Sequence, residues 1–338
     1  MQTATHGGVF RIIITVLAVS SSVSPSDASE INQFTPRPGR VSYYQFQSRT
    51  DLDMQSTVGD RTAKQRWSLK TEWVGRFRDL EPEPGGNARI EFTIRELSRS
   101  IASDGRTIAF DSREPDRADP AIRSAMTEFI GQPMILIVNR RGSVLEIRGR
   151  DEIIHAAEAQ APPLWRESIA GLIDAPGMQH RLGAFLFADA PTDLSGDAEW
   201  NAHYVDPIDD VISVRGELRC RLADLSVGGN PRLAEIKIVG ELKSSQAVSA
   251  ESASPTTTRF LGGQLDGLVF WDVDAGQLQR AEWSETSTTE TSRGEGSVHI
   301  PTHITQNTYW RIDRIERPDS EAPEPAGEEA DADQATAG

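Results

Sequence analysis

The strongest constraint on the fold is a long alternation of apolar and polar residues that occurs in both halves of the chain. Between Gln65 and Asp79, the apolar residues Trp67, Trp73 and Phe77 lie at odd positions, and charged residues fill most even positions. A second alternating segment runs from Val211 to Leu222. Because successive side chains of a strand point to opposite faces, each segment predicts a long strand with one buried face. Several such strands predict an antiparallel sheet.

A hairpin and three helices are predicted between the two alternating regions. Residues Gly131 to Arg150 contain two apolar runs joined by a polar turn at Gly142. The run from Met134 to Val138 is apolar at every position, which predicts a strand buried on both faces and in the middle of the sheet. A helix that starts at Asp119-Pro120 precedes the hairpin, and helices at Asp151 to Ala159 and Pro162 to Asp174 are predicted to follow it.

The two halves contain a pair of similar segments. Phe77 to Ser98 and Arg221 to Ser244 each contain a strand end, a Gly-Gly-Asn loop and a second strand that ends in Glu-Leu. This similarity predicts a degenerate duplication that produces two related β-meanders with a shared core. The alternative is that alternating strands with glycine turns resemble one another by chance.

Both ends of the chain differ from its body. Met1 to Ala28 contains Arg11, then an apolar run from Ile12 to Val19 that is too short to span a membrane, then small residues, a pattern typical of an export signal. Arg317 to Gly338 contains seven acidic residues and one arginine, which predicts a disordered tail. The predicted regions are the signal at 1–28, a first β-rich half at 29–150, a helical connector at 151–194, a second β-rich half at 195–316 and the tail at 317–338.

Charge and cysteine content limit the partners and the chemistry. The net charge of −16 disfavours nucleic acid and anionic membrane surfaces as partners. Cys220 is the only cysteine, so no intramolecular disulfide is available, and its place between Leu218 and Leu222 in an alternating row predicts a buried, unreactive thiol. We expect a protein that is exported to the periplasm or the extracellular space, without a transmembrane segment in the mature chain.

No familiar catalytic or cofactor motif occurs in the sequence, so we expect a protein without catalytic activity and without a cofactor. His299 and His303 lie four residues apart in a predicted strand, about 13 Å from each other, which is too far for one metal ion. Asp272, Asp274 and Gly276 resemble the start of a calcium loop, but they lie between apolar runs and predict a hairpin turn. No metal site is therefore predicted.

Several motifs together resemble a known family. They are Pro38-Gly39 with Tyr43-Tyr44, the helix end FIGQP, the hairpin VNRRGSVLEI, and SGDAEW at Ser195 to Trp200. In these motifs the chain is similar to an uncharacterised family of exported bacterial β-rich proteins, domain-of-unknown-function family 6263. The resemblance implies an exported β-rich domain and no known site residues. A looser likeness, of the fold alone, is to periplasmic half-barrel carriers of lipids and lipoproteins.

The predicted fold is mainly β with some helix (α+β): a long-stranded, twisted antiparallel sheet, in two repeat-like halves, that curls around a central helical segment. Inward-facing apolar side chains could then form the wall of a cavity for a lipid-like ligand, or they could fill a solid core. The candidate wall residues are Trp67, Trp73, Phe77, Phe92, Trp165, Leu172, Trp271 and Trp310. The first hypothesis is an envelope protein that binds an apolar small molecule, and the alternative is a structural or protein-interaction module of the cell envelope. The sequence leaves the oligomeric state open.

Overall fold

One antiparallel sheet organises the part of the chain that the structure describes. The structure is a computed structural model, and it describes residues 36–139, 144–162, 172–173, 178, 197–207, 213–225, 232–244, 256–295 and 298–318. These residues include twelve strands in one sheet and two α-helices. The predicted mainly β, antiparallel fold is confirmed.

The strands divide equally between the two halves of the sequence. The first six are β1 (Val41–Val58), β2 (Arg61–Leu80), β3 (Ala88–Ser103), β4 (Arg106–Asp111), β5 (Pro133–Val138) and β6 (Val144–Arg148). The other six are β7 (Glu199–Pro207), β8 (Ser213–Leu225), β9 (Leu233–Ser244), β10 (Thr256–Asp272), β11 (Gln277–Glu295) and β12 (Val298–Ile315). The helices are α1 (Pro120–Thr127) and α2 (Arg150–Gln160).

The sheet order keeps the two halves of the chain side by side. It runs β6-β5-β3-β2-β1-β12-β11-β10-β9-β8-β7, with β4 paired to β3 outside this path. The first and last strands of the sheet in sequence, β1 and β12, therefore pair with each other in the middle. The end strands β6 and β7 do not pair among the described residues, so the sheet is not closed. The order is compatible with a tandem duplication, which stays a prediction.

The chain passes from one edge of the sheet to the other between Arg148 and Glu199. Only part of this connection is described, and that part contributes Leu172, Ile173 and Met178 to the buried core cluster. The Arg150 guanidinium donates a hydrogen bond to the Ile173 carbonyl oxygen. The described part of the connector therefore belongs to the same core as the sheet.

The two helices bury their apolar sides in the same core as the sheet. Asp119 caps α1 as predicted, because its carboxylate accepts a hydrogen bond from the Ala121 amide at 2.9 Å. Met126 at the end of α1 and Phe129 beyond it are both fully buried. Ala157 of α2 belongs to the same core cluster. The helical segment thus packs against the sheet, and its helices contact each other.

The position predicted for β5 is wrong in one respect. Met134, Leu136 and Val138 are fully buried, and Ile137 on the opposite face is also buried. However, β5 lies between β3 and the edge strand β6, so it is one strand from the edge and not in the middle. An apolar run indicates that both faces of the strand are covered, and connecting segments can provide this cover. It does not indicate how many strands lie on either side of the strand.

Other local predictions agree with the structure where they can be compared. Asp104 and Gly105 both have positive φ values of 49° and 77° at the β3–β4 turn. Asp-Gly favours such turns because most other residues are strained at a positive φ, whereas Gly and, to a lesser degree, Asp adopt it. Cys220 is fully buried, as predicted. The predicted export signal, Gly142 and most of the helix at 162–174 lie outside the described residues, as does the predicted tail from residue 319 onward.

Candidate functional site: the inner face of the sheet

The two faces of the sheet differ in burial, and the strand register shows which residues share a face. Phe46 pairs with Trp73 on β2 and with Ile312 on β12, so these three side chains lie on one face. All three are buried. We call this face, which carries the core, the inner face, and the opposite face the outer face. The inner face is where the sequence predicts the wall of a cavity.

Four aromatic rings of β1, β2 and β3 pack against one another on the inner face. The ring centroids of Phe46 and Trp73 lie 3.8 Å apart in a stacked arrangement, and those of Phe77 and Phe92 lie 4.9 Å apart. Gly75 lies among these rings. A Cβ atom there would be 2.6 Å from Cζ3 of Trp73 and 2.9 Å from Cε2 of Phe92. The space between the rings is therefore already filled, as in a close-packed core. We call these four rings the aromatic stack.

The remaining candidate wall residues have different surroundings. Trp271 is fully buried and Leu172 is 4% exposed, and both belong to the core cluster. Trp310 is half-buried, and its ring centroid lies 6.5 Å from that of Trp283. Trp67 is also half-buried. Trp165 lies outside the described residues. The role of all these residues in ligand binding stays a prediction.

A second group of apolar side chains continues the inner face beyond the aromatic stack, toward the β1–β2 turn. Met54 pairs with Ile304 of β12, Leu52 pairs with Trp67 of β2, and Leu69 pairs with Ile101 of β3. Each of these side chains is half-buried, whereas the stack residues are almost completely buried. We call this group the inner apolar patch. It consists of Leu52, Met54, Trp67, Leu69, Ile101 and Ile304.

Trp67 contributes a polar atom to this patch. Its indole Nε1 is inaccessible to solvent and has no hydrogen-bond partner among the described residues. A buried N–H without an acceptor is costly, so most native structures provide one. The alternation of β2 predicts that Trp67 faces inward, whereas Leu52 and Met54 lie in a weaker alternating row of polar and apolar residues and were not predicted.

A band of polar side chains separates the aromatic stack from the inner apolar patch on β1 and β12. The hydroxyls of Thr50 and Thr308 lie 3.2 Å apart, and the Gln306 amide donates a hydrogen bond to the Thr308 hydroxyl at 3.1 Å. On β11, Glu285 and Ser287 are also buried on the inner face. The inner face therefore offers apolar contacts together with hydroxyl, amide and carboxylate groups.

A polar network outside the apolar surfaces joins the two halves of the chain. The Asp79 carboxylate accepts hydrogen bonds from the Arg37 amide at 2.7 Å and from Nε of Arg40 at 2.9 Å. The Arg40 guanidinium also donates to the Ala275 carbonyl oxygen of the β10–β11 turn at 2.8 Å. Burial raises the pKa of the Asp79 carboxyl, although the Arg37 amide and Arg40 act in the opposite direction. We call this network the clasp.

Tyr44 forms a second link between the halves. Its hydroxyl donates to the Leu278 carbonyl oxygen at 3.0 Å, and burial raises the pKa of Tyr44 to about 12. Leu278 lies at the start of β11, next to the β10–β11 turn that Arg40 contacts, and this turn is the one predicted at Asp272 and Asp274. The Asp272 carboxylate accepts hydrogen bonds from the backbone amides of Asp274 at 3.1 Å and Ala275 at 2.8 Å, which confirms a turn.

The side chains considered as metal ligands do not meet on the inner face. His303 is exposed, and its Nδ1 lies 3.8 Å from a carboxylate oxygen of Glu290. The side chain of His299 is not described. Within the described ranges, no group of three or more His, Cys, Asp or Glu side chains is arranged to hold a metal ion. Nor do these ranges contain a helix that is long and apolar enough to cross a membrane.

The fold and the inner face define a class: an open antiparallel sheet that buries one apolar face against short helices. The model of a protein family described as "Family of unknown function (DUF6263)" matches residues 85–168, about a quarter of the chain. These residues begin in the β2–β3 loop and extend beyond α2. The resemblance inferred from the motifs is thereby confirmed for this region.

Comparison with other proteins adds little beyond this match. A solved structure described as "Lipid-protein interactions in lipovitellin" has a TM-score of 0.41 and 10% identity, and covers 86% of this chain. The chain spans 27% of the length of that protein. The Pseudomonas aeruginosa protein OpdQ has a TM-score of 0.19 and 5% identity, with 81% of this chain and 99% of OpdQ covered. Neither likeness is strong enough to indicate a function. No match was found among curated proteins.

Proposed function

We propose that this protein binds an elongated apolar ligand, such as an acyl chain, on the inner face of its sheet after export to the cell envelope. The observation that carries the proposal is the inner apolar patch, where six apolar side chains extend the inner face and are only half-buried. Leaving apolar surface in contact with water costs free energy, so such a continuous patch favours an apolar partner. The open sheet leaves access from its edges.

The arrangement also supports an amphiphilic ligand. The inner apolar patch would contact the hydrocarbon, and the neighbouring polar band with Thr50, Gln306 and Thr308 would contact a polar head group. The aromatic stack would form the end of the site, because it leaves no free space between its rings. In this proposal both β-rich halves supply the inner face, and Leu172, Ile173 and Met178 of the connector pack in the same core.

Mass spectrometry tests the proposal without a guess about the ligand. The full-length gene product is expressed in an exporting host and purified without detergent, and its native and denatured masses are compared before solvent extraction. We expect an added mass that extracts as a lipid. N-terminal sequencing of the same sample is expected to start at Ser29, and an intact Met1 would contradict export by signal cleavage.

A pair of variants then locates the site. Replacement of Trp67 and Leu69 by serine removes two side chains of the inner apolar patch, whereas the same replacement at Arg66 and Lys70 changes their neighbours on the outer face. Burial of one such apolar side chain is worth about 1.5–3 kcal/mol, and about 1.4 kcal/mol corresponds to tenfold in affinity. The first variant is therefore expected to bind a fluorescent fatty-acid probe at least about tenfold more weakly. Equal affinities for both variants would refute this site.

The second candidate function is a structural or protein-interaction module of the envelope with a solid core. The filled aromatic stack favours it, because Gly75 shows that no volume remains between the rings. A mass without any addition, together with no uptake of the fatty-acid probe, would support this candidate. Capture of envelope proteins by the full-length chain, compared with a chain that ends at Glu316, would then show whether the acidic tail contributes.

A further inference from the structure

The outer face of β7 to β10 carries a groove whose charges are arranged in rows. The groove has a volume of about 1050 Å³, and six of its thirteen lining residues are charged. Arg215 of β8 lies directly opposite Lys243 of β9, and Glu217 lies directly opposite Glu241. Because residues two apart on a strand are separated by about 7 Å, a basic row lies next to an acidic row.

This arrangement is unfavourable within one molecule. Like charges directly opposite each other on neighbouring strands repel and destabilise a sheet. Lys243 and Glu241 relieve part of the repulsion through an ion pair of 3.3 Å along β9, but both side chains are more than 70% exposed. Arg215 and Glu217 have no ion pair within the described part of the chain. The two rows therefore do not stabilise the single chain, and its stability does not explain why they are present.

On the outer face of the first half, several opposite charges pair between neighbouring strands. There Glu91 of β3 accepts hydrogen bonds from Arg76 at 3.0 Å and from Arg78 at 2.8 Å, both on the neighbouring strand β2. Asp53 of β1 likewise pairs with Arg66 of β2 at 2.6 Å. Opposite charges thus meet across these strands.

Like charges also face each other outside the groove, at Arg49 and Lys70 and at Arg221 and Lys237. There, however, Arg49 forms an ion pair with Asp51 and Arg221 with Asp197, both at 2.8 Å.

We propose that the groove is the contact surface between two copies of this chain. Consider a two-fold axis that lies between the two copies and runs parallel to the rows, midway between the basic and the acidic row. Rotation about this axis brings the basic row of one copy onto the acidic row of the other, and the reverse contact forms at the same time. The four charges of the two rows, which face like charges within their own chain, then face opposite charges in the partner copy: Arg215, Glu217, Glu241 and Lys243.

Three further properties of the groove fit a second copy. Its lining contains three basic residues, Arg215, Arg219 and Lys243, and three acidic ones, Glu217, Glu241 and Asp266, so this surface does not repel a copy as the chain's net charge of −16 would. The open volume can hold the long side chains that the partner copy projects into it. Val239, which is 57% exposed in the groove, would be covered by the contact.

Charge-swap variants of the full-length protein test the proposal. One variant carries Arg215→Glu with Lys243→Glu, so both of its rows are acidic. The other carries Glu217→Lys with Glu241→Lys, so both of its rows are basic. Sedimentation velocity over a range of protein concentrations measures the dimer. We expect the wild type to dimerise at low salt and to dissociate at about 0.5 M NaCl, because exposed ion pairs are screened.

The variants give outcomes that a structural effect cannot imitate. Each variant alone is expected to dimerise at least about tenfold more weakly than the wild type, and an equimolar mixture is expected to restore the dimer, because acidic rows then meet basic rows. Arg66→Glu with Lys70→Glu is a matched control: it changes the net charge by the same amount as the first variant, on the outer face away from the groove, and should dimerise like the wild type. A monomeric wild type at all concentrations would overturn the proposal and leave the groove to an unlike partner. A mixture that stays monomeric would also overturn it.

Discussion

Removal of the Asp79 carboxylate tests whether the clasp holds the two halves of the chain together. Asp79 is 7% exposed and accepts hydrogen bonds from Arg37 and Arg40, and Arg40 in turn contacts the β10–β11 turn of the second half. Asp79→Ala removes these two acceptor contacts. Breaking a buried ion pair by removing one partner typically costs about 3–5 kcal/mol, because the other charge stays buried.

The structure places the expected cost at the lower end of this range. The Arg40 side chain is 18% exposed and keeps its hydrogen bond to the Ala275 carbonyl oxygen in the variant. We therefore expect Asp79→Ala to lower the free energy of unfolding by about 3 kcal/mol. The assay is urea unfolding followed by tryptophan fluorescence, with the midpoint and the slope compared between variant and wild type.

Asp53→Ala is the matched control for this experiment. Asp53 forms an even shorter ion pair with Arg66, at 2.6 Å, but the two side chains are 52% and 87% exposed. An exposed pair contributes about 0.2–1 kcal/mol, so burial and not distance accounts for the expected difference. Equal losses of stability in Asp79→Ala and Asp53→Ala would refute the reasoning.

A double variant tests whether the clasp requires its charges or only side chains that fill the same space. The pKa of Asp79 is raised even though it contacts Arg40, which indicates that the contact does not fully offset the cost of burying the carboxylate. Replacement of a buried pair by apolar residues is often neutral. We therefore expect Arg40→Met with Asp79→Leu to recover most of the stability that Asp79→Ala loses. A double variant as unstable as the single one would show that the charges themselves are required.

Two further predictions follow from the pKa values of buried groups. Because the pKa of Asp79 is raised, the folded chain binds this proton at a higher pH than the unfolded chain, so the stability gained from Asp79 is full below the unfolded pKa of about 4 and is lost as the pH rises through the folded pKa. The urea midpoint of the wild type minus that of Asp79→Asn should therefore increase as the pH is lowered from about 7 to about 4.5, and a constant difference would contradict the shift. Burial also raises the pKa of Cys220 to about 12, so a thiol reagent at about pH 8 should label it only in urea, and rapid labelling of the folded chain would contradict its burial.

The sequence was sufficient to predict the strands, because their alternation is a local property. The period of two in Gln65 to Asp79 predicts which side chains of β2 share a face, and Trp73 and Phe77 indeed lie together on the inner face. The turns at Asp104-Gly105 and at Asp272 depend on single residues and their neighbours, and they too were predicted. These features need no information from distant parts of the chain.

The candidate site was only partly predictable, because it depends on how far each strand extends beyond the packed core. Alternation assigns Trp67 and Trp73 to the same face, yet Trp73 is 3% exposed in the aromatic stack and Trp67 is half-buried beyond it. Leu52 and Met54 join Trp67 through the register of β1 with β2 and β12. Such register is a pairing between distant segments, which a local pattern does not specify.

By itself, the sequence determined a mainly β chain with one apolar and one polar face on its long strands. The tertiary structure alone decided that β1 pairs with β12, that β5 lies one strand from the edge, and that Arg215 faces Lys243. The physical reason is that side-chain alternation reports only which face of a strand is buried. The order of strands and their register depend on packing and hydrogen bonding between segments far apart in the chain, and these contacts form the inner face, the clasp and the charged groove.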